Sequence, residues 1–388
     1  MNDASRESAA HVAIMQAACA SAIAGVTLKH GGPFGACVVR DGIFISMSHN
    51  TVLHDCDPTC HAEMNAIRYA CAAINSHDLS DCELYTTCEP CPMCWGAIQW
   101  SRVKKVYTGV DRFTAAQFGF DDKVFYDELS AQSGHWAVKL GSTMPNVQPS
   151  MLNVYYGIEK LTVRKILGDL KVNKTFRRRL GEKSIGFHDD GERFGEDLLT
   201  SGGARKTSTD YDEAPDSEEE SKFHDNEDTA RYMGVLEDAV KKAVHKGKNK
   251  EREVFASCIV KDGKIISVAV NEVLRRHDAT ATSEVLAIRK ASKELGTYIL
   301  AGCSLYSTVE PDVMSLGAIL WARIDNLYFG LSQNAAARYG FEEGLMHYRE
   351  LFADAEVVKK VMNVQTKVAS EHCENVFREW TEVNAILY

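Results

Sequence analysis

The sequence lacks any uninterrupted run of about 18 apolar residues, so we expect no membrane-spanning segment. Residues 1–9 are polar and carry no apolar stretch of the kind a secretory signal needs. Without an oxidising destination, the 12 cysteines read as metal ligands, reactive thiols or buried small residues in the cytoplasm or the nucleus. Positive charge is also short, with 44 Lys and Arg against 54 Asp and Glu and a formal net charge of -10. Most of the excess is local, because residues 187–228 hold 15 acidic and 4 basic side chains. The rest of the chain is near neutral. A long polyanion usually meets a clearly basic surface, so we expect neither nucleic acid nor membrane as a partner.

What is present is a repeat. The 388 residues suffice for two or three domains. Set against itself with an offset of 221, the stretch from His61 to Arg102 is identical at 18 of 42 positions without a gap. Cys82-Glu-Leu-Tyr-Thr-Thr faces Cys303-Ser-Leu-Tyr-Ser-Thr, and Gly96-Ala-Ile-Gln-Trp100 faces Gly317-Ala-Ile-Leu-Trp321. This period is a whole duplicated domain. Between the copies, residues 181–228 are rich in Gly, Ser, Asp and Glu and poor in aliphatics, too few to offset the entropy of ordering. We therefore expect domains at 1–180 and 229–388, joined by an acidic flexible linker at 181–228.

Each copy alternates strand and helix patterns, which implies an α/β sheet covered on both faces. Residues 36–40 and 43–46 around Asp41-Gly42 read as a hairpin. Residues 63–74 read as a helix, 84–87 as a strand, 91–101 as a helix and 105–109 as a strand.

The chemistry gathers in the first copy. Cys91 and Cys94 form a Cys-x-x-Cys after Pro90, and at the start of a helix residues three apart share a face. A helix N-terminus lowers thiol pKa and favours the thiolates that bind zinc. His61 opens the preceding helix. Three protein ligands leave one tetrahedral position open, the pattern of a catalytic zinc site. Glu63, two residues from His61, is free to move protons as a general base and acid. Apart from the overlapping Cys88-Glu-Pro-Cys91, whose Cys88 we read as a backbone-contact position, no further Cys-x-x-Cys exists to build a structural zinc knot. His61-Ala-Glu63 with Pro90-Cys-Pro-Met-Cys94 is the pattern of zinc deaminases.

These residues resemble the cytidine deaminase-like superfamily. Gly31-Gly-Pro-Phe-Gly35 and Gly119-Phe-Asp-Asp122 are similar to the guanine deaminase branch within it. The resemblance covers about residues 12–128. It implies a three-layer α/β/α sandwich with a mixed five-stranded sheet, here duplicated in tandem, and a Zn2+ cofactor. It further implies that Asn50 hydrogen-bonds a purine base, that Phe34 stacks on it and that Trp100 lines the pocket. Ala62 and Cys88 would offer backbone contacts, and Asp122 would hold the base amino group and assist ammonia departure. The implied reaction is hydrolysis of guanine to xanthine and ammonia. In one respect the chain departs from the branch, which carries Thr-Asp-Ala-Ala where this sequence reads Phe113-Thr-Ala-Ala116.

The second copy keeps Glu284 but carries Thr282, Asp312 and Ser315 in place of His61, Cys91 and Cys94. It has lost its metal ligands, and we expect it to be catalytically inert. We expect the copies to form an internal pseudo-dimer, with or without a homodimer of the whole chain. The C-terminal tail would then lend Tyr388 as part of a lid, as the related enzymes do between subunits. The rival readings are a guanosine deaminase, a tRNA adenosine deaminase and a non-catalytic scaffold.

Overall fold

The computed structural model of the chain describes residues 3–117, 153–155, 227–246, 254–331, 336 and 363–365. The first copy runs α1 (Asp3–Thr27), β1 (Gly35–Arg40), β2 (Ile43–His49), α2 (Val52–Asp55), α3 (Ala62–Ile74), β3 (Glu83–Cys88), α4 (Pro92–Trp100), β4 (Lys105–Val110), α5 (Arg112–Gln117) and β5 (Asn153–Tyr155). The second runs α6 (Glu227–Lys246), β6 (Ala256–Lys261), β7 (Lys264–Val270), α7 (Val273–Arg276), α8 (Ser283–Leu295), β8 (Cys303–Val309), α9 (Val313–Ala322), β9 (Asn326–Leu331) and β10 (Asn363–Gln365). The linker expected at 181–228 lies outside the described residues except for 227 and 228, which already belong to α6.

The hairpin forms where turn chemistry demands it. Asp41 and Gly42 both take positive φ, 51° and 76°, in a two-residue connection whose twist matches the flanking strands. Asp262 and Gly263 repeat it in the second copy with φ of 49° and 73°. β1 then pairs antiparallel with both β2 and β3, while β3, β4 and β5 run parallel. The resulting mixed five-stranded sheet has the order β2-β1-β3-β4-β5, and the second copy repeats that order as β7-β6-β8-β9-β10.

Alternation along the strands sorts the two faces. Ala36, Val38, Leu84 and Val106 pack with α3 and α4, whereas Cys37, Val39, Tyr85 and Tyr107 pack with α1. The three-layer sandwich expected from the resemblance is therefore present in both copies. Burying side chains such as Met64, Ile67, Leu84 and Ile98 contributes about 1.5–3 kcal/mol each.

The stretch Ala9–Thr27 of α1 is long and apolar enough to meet the composition test for a membrane span. Its apolar residues Ile14, Met15, Ala18, Cys19 and Ala22 are buried, most of them against β1, β3 and β4, so that side of the helix is the cover of the sheet.

The copies share a core. One cluster of buried residues runs through α3, α4, α8 and α9 without a break. At its centre α4 and α9 touch backbone to backbone: a Cβ on Gly96 would lie 2.5 Å from the Met314 nitrogen, and one on Gly317 would lie 2.6 Å from the Met93 nitrogen. Gly96 meets an early residue of α9 and Gly317 an early residue of α4, so the helices run antiparallel. The end of each helix thus lies at the beginning of the other.

Candidate metal centre

Two helix N-termini converge to make the site. His61 is the N-cap of α3 and Cys91 the N-cap of α4, both in extended backbone, with Pro92 opening α4. Cys94 follows one turn later. The His61 Nδ1 lies 3.6 Å from Cys91 Sγ and 3.7 Å from Cys94 Sγ, and the two sulfurs are 3.6 Å apart. Zinc bonds of about 2.3 Å to sulfur and about 2.0–2.1 Å to nitrogen require edges of roughly this length in a tetrahedron. Two thiols and an imidazole are also the donor types zinc selects. Among the described residues this is the only such cluster of potential ligands.

The local electrostatics favour an ion pair of Cys91 with His61, while burial and the neighbouring Cys91 push the Cys94 thiol up. Burial opposes a thiolate on Cys91, but hydrogen bonding from Cys94 and the charge of His61 outweigh it and hold the Cys91 thiol well below its usual range. Burial likewise opposes charge on His61, and Cys91 overrides it and raises the imidazole.

Glu63 stands beside this triangle, buried in the first turn of α3. Thr86 Oγ1 donates to its Oε1 at 2.7 Å, and the Cys94 thiol lies 3.5 Å from its Oε2. Burial raises the Glu63 carboxyl, and the Thr86 hydrogen bond opposes that shift. A carboxyl with a raised pKa holds a proton more readily, which suits a group that takes up and returns protons.

Asn50 closes β2 next to the His61 loop. The Thr51 amide donates to the Cys60 carbonyl at 2.9 Å, and Asn65 Nδ2 lies within hydrogen-bond range of His49 O, Thr51 Oγ1 and Cys60 O. Asn50 Oδ1 accepts from the Gly32 and Val52 amides at 3.3 and 3.2 Å, so its Nδ2 end faces away from the backbone as a donor. Gly31 must be glycine, because a Cβ there would sit 2.1 Å from Asn50 Oδ1. Phe34 is half-buried against both the shared core and the cluster under α1. Ala62 begins α3 and Cys88 ends β3, and both are buried. Asp122 and Tyr388 lie outside the described residues.

Trp100 is not where the resemblance puts it. Its indole N–H donates to Asp312 Oδ2 of the second copy at 3.0 Å, so it walls the other centre. The antiparallel contact of α4 and α9 gives the physical reason. By the same geometry Trp321 reaches the first centre, its ring edge-on to His61 with centroids 4.8 Å apart.

Sequence reasoning also missed Thr86. The repeat carries the signal, since Ser307 occupies the matching position and donates to Glu284 at 2.6 Å. The loop before His61 is braced in ways the sequence does not announce. Asp57 Oδ1 accepts from the Thr59 amide and hydroxyl at 2.8 and 2.7 Å, and Arg68 donates to Thr59 Oγ1 at 2.9 Å.

The second centre is closed by hydrogen bonds. Thr282 and Ser315 hydroxyls are 3.0 Å apart, Ser315 donates to Glu284 at 3.2 Å, and Asp312 caps α9 by accepting from the Ser315 amide at 2.7 Å. Asp312 thus serves as an ordinary helix cap where Cys91 serves as a ligand.

The sequence model of the cytidine and deoxycytidylate deaminase zinc-binding region matches residues 8–110 and again 227–331. A guanine deaminase from Bacillus subtilis (strain 168) is 47% identical over 119 residues, 31% of this chain and 76% of that protein. A tRNA-specific adenosine deaminase from Aquifex aeolicus (strain VF5) is 48% identical over 81 residues, 21% of this chain and 54% of that protein, about half its length. The X-ray structure of guanine deaminase from Bacillus subtilis aligns at 40% identity over 38% of this chain and 85% of that one, with a TM-score of 0.30. With the family matched twice over more than half its length, the chain belongs to the cytidine and deoxycytidylate deaminase zinc-binding family, as a tandem pair whose second copy has lost the zinc ligands.

Proposed function

We propose that the first copy hydrolyses guanine to xanthine and ammonia. Hydrolytic deaminase activity follows from the family. The choice of guanine rests above all on the guanine deaminase relative, whose likeness extends over 119 residues against 81 for the tRNA deaminase.

The residues suit the reaction. Bound by His61, Cys91 and Cys94, zinc supplies Lewis acidity and brings the pKa of water towards neutrality. Glu63 takes a proton from the attacking water and passes protons to the ring nitrogen and to the departing amine, as a buried carboxyl with a raised pKa can. The bond that forms joins the water oxygen to the ring carbon bearing the amino group, and the bond that breaks is that carbon's bond to nitrogen. Thr86 holds the Glu63 carboxylate by its other oxygen. Asn50, with its oxygen tied to the backbone, offers Nδ2 to an acceptor on the base edge. Ala62 and Cys88 add backbone contacts, and Phe34 forms an apolar face for the flat ring. Asp122 assists the leaving ammonia, and Tyr388 belongs to a lid that excludes water.

The test is ammonia release from guanine, guanosine, adenine, cytosine and an unmodified tRNA by the zinc-loaded protein. Guanine alone should react fast. Release confined to guanosine or to tRNA would keep the deaminase and move the substrate to one of the rival readings.

A further inference from the structure

The second copy carries Thr282, Asp312 and Ser315 in place of the three zinc ligands, yet three of its residues converge on the segment that carries His61. Trp321 sets the edge of one ring against the other at 4.8 Å between the centroids of Trp321 and His61. Arg289 Nε donates to Asp57 Oδ2 at 3.1 Å, and Asp57 is the residue that shapes the turn through Thr59. Thr280 Oγ1 accepts from Arg68 Nε at 2.9 Å, and Arg68 in turn holds Thr59 and Cys60. The His61 side chain makes no capping hydrogen bond to its own helix, which begins immediately after this loop, and faces the two sulfurs instead.

We infer that the degenerate copy is a positioning subunit for the first centre, with Trp321 fixing the His61 ring and Arg289 fixing the loop behind it. The contacts follow the pseudo-symmetry of the duplication, each tryptophan and each arginine crossing to the other copy, but their partners differ. Asp312 gives the Trp100 N–H an acceptor in the second centre, where the first centre has the ligand Cys91. Arg289 pairs with Asp57, whereas Arg68 bonds Thr280 and its own loop. The edge contact restrains rotation of the His61 ring and so favours the orientation that presents Nδ1 to the two sulfurs. Trp321 and Arg289 touch no reacting atom in this account, so they act through His61.

The inference rests on the zinc-centre reading of the first copy and is independent of which base is deaminated. Its test uses the full-length chain loaded with cobalt(II) for spectroscopy and with zinc for release to a chelator. Trp321→Leu should alter the cobalt absorption bands and speed zinc release about two- to tenfold, the range for loss of one aromatic edge contact, and Arg289→Gln should do so about tenfold or more, the range for loss of one charged hydrogen bond. Trp321→Phe, which keeps an aromatic ring, should restore most of the wild-type release rate. Unchanged bands and release in Trp321→Leu would overturn the inference. So would a Trp321→Phe protein that releases zinc as fast as Trp321→Leu. Because release and spectrum need no substrate, they stand even if guanine is not turned over.

Discussion

The Trp100 indole N–H donates to Asp312 across 3.0 Å, joining residues 212 positions apart in the chain. Asp312 stands where the first copy has the ligand Cys91. The loss of a ligand in one copy is therefore coupled to the packing of the other.

That carboxyl makes stability depend on pH. Burial, reinforced by Glu284, lifts Asp312 from 3.8 to about 6. The folded chain therefore binds this proton more tightly than the unfolded chain. The associated stability is full below about pH 4 and is lost as pH rises through about 6. Asp312→Asn does not titrate, and its single oxygen can serve the Ser315 amide or the Trp100 N–H but not both. Its stability relative to wild type should therefore rise between pH 4 and pH 7.5 by on the order of 2–3 kcal/mol. Urea unfolding at pH 5 and 7.5 checks this, and a gap of constant size would contradict it.

Zinc content should be about one per chain. Cys91→Ser should lower it to near zero, because a hydroxyl replaces one of three ligands and Thr282, Asp312 and Ser315 cannot take over. Elemental analysis of the dialysed proteins decides, and two zinc ions per wild-type chain would contradict the account of the second copy.

Gly317→Ala should destabilise the chain by roughly 1–3 kcal/mol, although alanine is the better helix former. The added Cβ would meet backbone, the Met93 nitrogen at 2.6 Å, and backbone cannot step aside as a flexible side chain can. Thermal unfolding measures the effect, and a rise in midpoint would show that α4 and α9 do not approach so closely.

Much of the site is legible in the sequence where local chemistry dictates position. Asp41-Gly42 demands a two-residue hairpin, and a His-x-Glu with a Cys-x-x-Cys demands two helix N-termini facing one point. Glu63 follows from its place beside His61. Other features depend on packing between distant segments. Trp100 and Trp321 look equivalent in the repeat, and nothing local says that each serves the opposite copy. That follows only once α4 and α9 are known to cross antiparallel at Gly96 and Gly317. Arg289 and Asp57 are paired by the same contact. The helix α1 escaped the sequence reading because its many alanines blur the apolar stripe that marks a sheet-covering helix. Thr86 was within reach, since the repeat preserves a hydroxyl there as Ser307.

The measurement that bears most directly on the account is ammonia release from guanine by zinc-loaded wild type, Glu63→Gln and Glu284→Gln. Wild type and Glu284→Gln should turn over alike, and Glu63→Gln should lose about 100-fold or more while keeping its zinc, as removal of a general acid–base predicts. A Glu63→Gln protein that still deaminates guanine at the wild-type rate, or a Glu284→Gln protein that does not, would contradict the assignment of the chemistry to the first copy.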